Sequence, residues 1–459
     1  MAHETELKFA AADDVVLPDL GGVEGPPLDL TATYYDTADL RLAREGITLR
    51  ERECWTVKLP VGPNVRDELE VGGLDEAREL LTGWLRGAQV APVATLRTHR
   101  RSWLLDGAEV VDDTVEVVEG DEVTSRFREI EVEVAGMSRL DLDAISVKLT
   151  AAGAVAGEFV PKAVRALGPA ACDPPDLPLP EDVSKSDPAA DAVALSLRTN
   201  VRRLLVNDVG VRLDRPDAVH QMRVACRRMR SDLRTFGPLV DPGWADPLRE
   251  ELAWLAGELG AARDLEVLIE RLDPPPGIRT VLDERQAAAL ERGAEALRSP
   301  RYVELVSRLV EAARTPPVTG TAALPCREAL PPLVGDAWEA LARKARRLKR
   351  GSPAENFHRA RIFAKRSRYA AEAVAPILGK RPRKLAEAVT RVQEVLGEAQ
   401  DAAIAEELLA AVAAEHPELA FEAGRLAERQ ARAGRKARAA FFGAWKRADR
   451  PKLTRWQRC

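Results

Sequence analysis

Two segments of the chain recur at an almost constant distance, and this recurrence restricts its folding more than any other feature. His220-Gln-Met-Arg-Val-Ala-Cys-Arg-Arg-Met-Arg230 aligns with His358-Arg-Ala-Arg-Ile-Phe-Ala-Lys-Arg-Ser-Arg368, 138 residues later. Leu259-Gly-Ala-Ala-Arg-Asp264 aligns with Leu396-Gly-Glu-Ala-Gln-Asp401 at a spacing of 137. Two unrelated segments kept in register imply an internal duplication. The surrounding sequence is dominated by Ala, Leu, Arg and Glu, with breaks at Pro238 to Pro242, Pro274 to Gly277, Pro316 to Gly320 and Gly351 to Pro353. This predicts an all-α bundle of roughly ten helices in two similar halves, packed about a pseudo-twofold axis.

On a helix, positions i, i+3, i+7 and i+10 share a face. His220, Arg223, Arg227 and Arg230 occupy that series, Arg234 extends it, and His358, Arg361, Lys365 and Arg368 repeat it. Met222, Ala225, Met229 and Leu233 form an apolar series beside the first stripe, which anchors its helix in the bundle. Like charges this close repel, so the stripes do not serve helix stability and call for an anion. Arg offers bidentate contacts to phosphate, and a dense anion favours the charged form of His. A ligand carrying a charge every few ångströms fits: inorganic polyphosphate, or nucleic acid. Few aromatic residues interleave with the basic ones, which argues against base stacking and makes nucleic acid the weaker partner.

The front of the chain is different. Residues 1 to 170 carry 18 Lys and Arg against 32 Asp and Glu, whereas residues 189 to 459 carry 49 against 36. An acidic part suggests metals and a basic part suggests polyanions. From Glu4 to about Val134, short β-rich runs alternate with turn signals such as Gly21-Gly22, Gly72-Gly73 and Asp106-Gly107, which reads as a meander of antiparallel strands. Helical periodicity intervenes at Asp75 to Leu85 and at Leu140 to Ala152, so this part is α+β. Side chains alternate faces along a strand. Glu4, Glu6 and Lys8 therefore share a face, as do Arg50 and Arg52, Thr56 and Lys58, Glu68 and Glu70, and Glu129, Glu131 and Glu133, with Ile130, Val132 and Val134 opposite. A charged strand face commonly faces water. Several strands with apolar opposite faces instead favour a tunnel-like β-barrel with outer helices, whose lumen holds a hydrated divalent cation on carboxylates and a polyanion on Arg and Lys. The Pro- and Asp-rich stretch from Gly168 to Pro188 reads as a linker, giving domains at 1–168 and 187–459 joined by 169–186.

No stretch of about eighteen apolar residues is present and the start, Met1-Ala2-His3-Glu4, lacks a basic lead into a hydrophobic run, so a soluble, unexported chain without membrane partners is expected. Cys54, Cys172, Cys226, Cys326 and Cys459 are scattered without a C-x-x-C pair, which fits a reducing cytoplasm and offers neither a disulfide framework nor a thiolate zinc site. His3, His99 and His416 have no partner at a metal-ligand spacing. No Walker-type G-x-x-x-x-G-K-[S/T] occurs.

With Glu4-x-Glu6-x-Lys8 in place, the order Tyr34-Tyr35-Asp36-Thr37, Leu42, Gly46, Leu49-Arg50-x-Arg52, Thr56-x-Lys58, Glu68-x-Glu70, Arg100 ahead of Trp103, Asp112 or Asp113, Glu129-x-Glu131 and Lys162-x-x-Arg165 resembles the CYTH, or triphosphate tunnel metalloenzyme, superfamily over residues 1 to 168. Pro161 departs from it, standing where members often have Ser. The resemblance implies that Glu4, Glu6, Asp112, Glu129 and Glu131 ligate Mg²⁺ or Mn²⁺, with Glu133 as an alternative. It implies that Lys8, Arg50, Arg52, Lys58, Arg100 and Lys162 grip triphosphate oxygens, with Glu68 and Glu70 beside them. The implied reaction is metal-dependent phosphoanhydride hydrolysis of triphosphate or polyphosphate ends, without an assigned general base; the family also contains adenylate cyclases and thiamine-triphosphate hydrolases.

From about Asp187 to Trp445, both histidine helices and both Leu-Gly-x-x-[Arg/Gln]-Asp segments resemble the CHAD domain. This implies polyphosphate binding by His220, Arg223, Arg227, Arg230, His358, Arg361, Lys365 and Arg368, with Arg202, Arg203, Arg346 and Arg347 extending the surface and Asp264 and Asp401 orienting basic groups. Association with cytoplasmic polyphosphate granules follows as an expectation. The alternative to a hydrolase is a non-catalytic polyphosphate-binding scaffold or a cyclase.

Overall fold

A computed structural model of the chain describes residues 2–62, 65–157 and 160–458, with the side chains of residues 2–6 and 458 outside that description. The chain divides into two compact units, Met1–Asp176 and Leu177–Cys459. In the first, the strands are β1 (Ala2–Ala11), β2 (Val23–Glu24), β3 (Leu28–Asp36), β4 (Thr48–Glu51), β5 (Trp55–Gly62), β6 (Val65–Val71), β7 (Ala91–Leu105), β8 (Ala108–Glu119), β9 (Glu122–Val134) and β10 (Val155–Ala156). All pair antiparallel, in the order β10-β1-β6-β5-β4-β3-β7-β8-β9, with β2 against β7. The sheet's two ends meet on β1, which gives Ala2–Thr5 to β6 and Thr5–Ala11 to β9. The enclosure is thus a curled sheet sharing β1 lengthwise, not a cylinder of strands fully paired on both edges.

The helices of this unit are α1 (Arg41–Arg44), α2 (Leu74–Leu80), α3 (Thr82–Leu85), α4 (Arg139–Ala151) and α5 (Lys162–Leu167). The helix expected over Asp75 to Leu85 is broken at Leu81 into α2 and α3. The one expected from Leu140 is α4, started by Ser138, whose hydroxyl accepts from the Asp141 N–H. Helix α4 covers the apolar outer face: its Ile145 and Leu149 pack on Phe9, Val110, Ile130 and Val132. On the inner side Ala163 of α5 packs with Tyr34, Leu96, Val115 and Val117. Because α4 takes the face of Ile130 and Val132, alternation turns Glu129 and Glu131 inward, where each is only 3% exposed.

The second unit contains α6 (Ala189–Arg212), α7 (Ala218–Thr235), α8 (Pro242–Leu272), α9 (Pro276–Arg298), α10 (Pro300–Arg314), α11 (Cys326–Ala345), α12 (Ala354–Leu378), α13 (Lys380–Glu415), α14 (Ala420–Ala448) and α15 (Pro451–Thr454). Helices α8, α9, α10 and α15 each open with a proline, whose missing N–H costs nothing in a first turn. The repeated segments lie on α7 and α8 and again on α12 and α13. Met222, Ala225, Met229 and Leu233 are all buried, as are Ala360, Ala364, Ser367 and Ala371 on α12. No described helix is long and apolar enough to cross a membrane. Cys54, Cys172, Cys226 and Cys326 are free thiols.

Candidate functional site

Strand register gathers the inward side chains of the first unit. Lys8 of β1 lies opposite Glu131 of β9, Arg100 of β7 opposite Asp113 of β8, Asp113 opposite Glu129, and Lys58 of β5 opposite Glu68 of β6. The side chains follow this register. Arg100 makes a two-pronged contact with Asp113 at 2.9 and 2.8 Å. Glu68 accepts from Arg50 at 2.8 Å and lies 2.9 Å from the Lys58 ammonium. Lys162, the first residue of α5, places Nζ 2.9 Å from Asp113, 3.0 Å from Glu129 and 2.5 Å from Glu131, and Lys8 also donates to Glu131. Pro161 caps that helix from outside, with φ −58° and ψ 146°, and so aims Lys162 at the carboxylates.

Most of these groups line a cavity of about 220 Å³, whereas Asp113 and Glu129 are not part of its lining. Of the expected residues, Lys8, Arg50, Arg52, Lys58, Glu68, Arg100, Glu131 and Lys162 line it, joined by Glu133, Tyr34, Thr48 and Arg66. Among the described lining residues seven are Lys or Arg and three are Glu. Burial would depress the Lys162 ammonium, but Glu131, Glu129 and Asp113 outweigh it and hold its pKa well above the usual lysine value. Burial likewise opposes ionisation of Glu131, yet Lys162 and Lys8 hold its carboxyl well below the ordinary range. Arg100 is raised in the same way, its burial overcome by Asp113, Glu131 and Glu133.

Two expected site residues fall elsewhere. Asp112 lies on the outer face with Ile130, where Arg128 donates to both of its oxygens at 2.8 Å. Its neighbour Asp113 points inward instead, because adjacent strand residues face opposite ways. Glu70 is exposed and does not line the cavity. Glu4 and Glu6 sit at β1 positions opposite Arg66 and Glu133, in the same alternation as Lys8, and their side chains lie outside the described residues.

Among the described residues no three His, Cys, Asp or Glu side chains stand grouped as a metal-ligand set. The donor chemistry nevertheless suits a hard divalent cation: Glu129, Glu131 and Glu133 present carboxylate oxygens on one strand face. Glu129 Oε1 is buried without a hydrogen bond, although Lys162 stands 3.0 Å away as an ion-pair partner. A buried acceptor left in this condition is what a cation would satisfy.

In the second unit α7 and α12 bring the two stripes together around Tyr369, whose ring lies under Arg227 at 5.8 Å, Arg228 at 5.9 Å and Arg368 at 5.4 Å. Both aspartates of the repeated segments hold a stripe arginine: Asp264 accepts from Arg223 at 2.9 Å, and Asp401 lies 3.7 Å from Arg361. His358 Nδ1 is bonded to Gln400 Oε1, and His220 is half-buried. Burial, with Arg361 and Arg227 close by, pushes the Lys365 ammonium down to about 8. Arg234 falls to about 10 through burial and the neighbouring charges of Arg366, Arg249 and Arg230, and burial plus Arg249 also lowers Arg230. Arg249 and Arg366 were not anticipated by the stripe pattern, since α8 and a second face of α12 carry them. Arg202 instead donates to the Leu177 carbonyl at 2.9 Å, and Arg346 pairs with Asp449 at 2.8 Å.

Comparison with known proteins matches a CYTH domain at residues 2–164 and a CHAD domain at residues 195–410. Uncharacterized proteins from two strains of Mycobacterium tuberculosis are each 32% identical over 474 aligned residues, covering 88% of this chain and 88% of their own. Among solved structures, PptA from Streptomyces chartreusis is 24% identical with TM-score 0.49, covering 57% of this chain and 100% of its own. The CHAD domain from the plant Ricinus communis is 27% identical with TM-score 0.49, covering 58% and 96%. A candidate adenylate cyclase from Bacillus halodurans is 19% identical with TM-score 0.28, covering 36% and 98%. The two domain matches, in this order, and the full-length relatives show that the chain belongs to the proteins in which a CYTH domain is followed by a CHAD domain.

Proposed function

We propose that the CYTH unit hydrolyses inorganic triphosphate or the ends of polyphosphate with a divalent metal, and that the CHAD unit binds polyphosphate. The observation that carries this reading is the cavity in which seven basic side chains face three carboxylates among the described lining residues. That excess of positive charge matches a chain of phosphoryl groups, and the carboxylates beside it match a cation. CYTH domains generally depend on a metal and bind triphosphates.

Glu129, Glu131 and Glu133, with Glu6 opposite Glu133 and Glu4 two residues before Glu6 on β1, would hold Mg²⁺ or Mn²⁺, which when bound supplies positive charge at the phosphoryl oxygens. Arg50, Arg52, Lys58, Arg66 and Arg100 grip non-bridging oxygens and fix the chain along the cavity. Lys8 and Lys162 change partners, leaving the carboxylates and moving to the phosphates, so both charge sets stay compensated. Positioning and charge neutralisation carry most of such a reaction. Polyphosphate bound by the CHAD stripes would bring its ends to a cytoplasmic enzyme, including one residing at polyphosphate deposits.

Phosphate release from tripolyphosphate with Mg²⁺ or Mn²⁺ tests the proposal. Wild type should turn over, and the double variant Glu4→Ala, Glu6→Ala should fall to background. Equal rates in the two proteins would remove the catalytic claim, and cyclic AMP formed from ATP would redirect it to a cyclase.

A further inference from the structure

On α12, one turn beyond Arg368, stands Glu372. Its Oε1 accepts from Arg368 Nε at 2.6 Å, and its Oε2 lies 2.9 Å from the guanidinium of Arg228 on α7. One carboxylate therefore ties together guanidinium groups from the two halves of the duplication, and both guanidinium groups also lie over the Tyr369 ring. The side chains of Arg228, Arg368 and Glu372 are 30%, 23% and 20% exposed, so a ligand in solution can reach the two guanidinium groups, while the Glu372 Oε2 between them is buried. The Arg228 contact is an ion pair without a directed hydrogen bond, since Oε2 has no hydrogen-bond partner.

Glu372 is also a departure from the repeat. At the spacing of 138 that aligns the two histidine helices, the first half carries Arg234 at the position where the second half carries Glu372. An acidic residue has thus been placed in one half of an otherwise basic surface, where it occupies two of the cations a polyanion would use.

Resting on the polyphosphate-binding reading above, we infer that Glu372 sets a chain-length threshold for ligands of the helical unit. A short phosphate must displace the carboxylate from Arg228 and Arg368 with the few phosphoryl groups it has. A long chain is already held by Arg223, Arg227, Arg361 and Lys365, so its next phosphoryl groups compete with Glu372 at high effective concentration. Glu372 penalises the short ligand more than the long one, and selectivity is that difference.

The test uses the full chain in EDTA, so that no metal-dependent turnover intrudes. Labelled long-chain polyphosphate is titrated into wild type and E372Q at several salt concentrations, and tripolyphosphate is used to displace it. The CYTH cavity is the same in both proteins and cancels in the comparison. E372Q should bind tripolyphosphate about tenfold more tightly and long polyphosphate less than about threefold more tightly. Its plot of log affinity against log salt should steepen by about one to two phosphate contacts. R228Q, which removes one of the two cations, should weaken long-chain binding while moving tripolyphosphate little. Unchanged affinities and slopes in an E372Q protein with wild-type circular dichroism, or equal gains for both ligands, would overturn the threshold. If wild type binds no long polyphosphate, the functional reading falls and the threshold with it.

Discussion

The Lys162 ammonium stands 2.5 Å from Glu131 Oε2, and the same nitrogen reaches Glu129 and Asp113 within 3.0 Å. One cation of the chain thus compensates three buried carboxylates. Without it Asp113 keeps Arg100 and Glu131 keeps Lys8, but Glu129 is left with cations no nearer than 3.8 Å among the described residues, and weakening the compensation of a buried charge in this way costs up to about 3–5 kcal/mol. Lys162→Ala should therefore melt well below wild type in EDTA. Because the carboxylates it uncovers are oxygen donors, Mg²⁺ or Mn²⁺ should raise its melting temperature by more than it raises that of wild type. Equal metal shifts in thermal denaturation would mean that Glu129 and Glu131 do not meet the metal. The signs with pH follow from the two shifts. Glu131 is held below its usual 4.5, so its contribution is present above that value and is lost as pH falls through the depressed one. Lys162 is raised above 10.5, so its contribution persists throughout the neutral range and is lost only as pH rises through the raised value.

Asp112 and Asp113 are adjacent in sequence and opposite in role. Asp113 is fully buried against Arg100 and Lys162, whereas Asp112 is bound by Arg128 on the outer face. Asp113→Asn removes the charge that orients Arg100 and one of the three carboxylates around Lys162, and tripolyphosphate cleavage should fall by about one to two orders of magnitude, as expected when charge preorganisation is lost. Asp112→Asn should cost about 1–3 kcal/mol of stability through the weakened Arg128 contact and leave kcat within about twofold. Comparable losses of activity in both would contradict the strand register.

That pair also shows what could and could not be read from the chain. Local alternation suffices to group Arg50 with Arg52 and Glu129 with Glu131, and the same rule applied two residues before Glu68 would have found Arg66. It cannot choose between Asp112 and Asp113, because that choice depends on which residue lies across from Arg100 on a neighbouring strand. The duplication located both histidine helices and their buried seams. It was silent on Arg249 and Arg366, which reach the stripes only through packing of α7, α8 and α12, and it marked Glu372 as a departure from Arg234 without showing its reach to Arg228 on α7. Asp36 in the Tyr34-Tyr35-Asp36-Thr37 run belongs to the motif for a structural reason. Its buried carboxylate accepts the N–H groups of Leu42 at 2.9 Å and Ala43 at 2.8 Å, which shapes the turn at α1.

Asp232 is a buried acid whose Oδ2 accepts from the Ser196 hydroxyl at 2.7 Å, while its Oδ1 has no hydrogen-bond partner among the described residues. Burial, together with nearby Glu372, pushes it from 3.8 up to about 7, against the pull of Ser196 and Arg228. The folded protein therefore holds a proton that the unfolded chain releases between those two values. Stability falls as pH rises from about 4 to 7, and the cost above that window is a few kcal/mol. Asp232→Asn keeps the acceptor for Ser196 and never ionises. Its melting temperature should match wild type near pH 4 and exceed it by several degrees at pH 8. A gap that does not widen with pH would mean that Asp232 is already neutralised by its neighbours.

Lys365 provides a pH signature for ligand binding. Its ammonium is pushed down to about 8 by burial and by Arg361 and Arg227, with Asp401 and Asp264 pulling the other way. In the free protein it begins to lose its proton just above neutrality. A polyphosphate laid across α7 and α12 supplies the opposing charge and raises that pKa, so binding must draw a proton from solution near pH 8 to 9. Calorimetric titration in two buffers of different ionisation enthalpy should give different apparent heats there, and affinity should decline between pH 7 and 9. Lys365→Arg stays charged throughout, because a guanidinium does not titrate in this range, and it should lose both the buffer dependence and most of the decline. Heats that are identical in the two buffers for wild type would place Lys365 away from the bound chain.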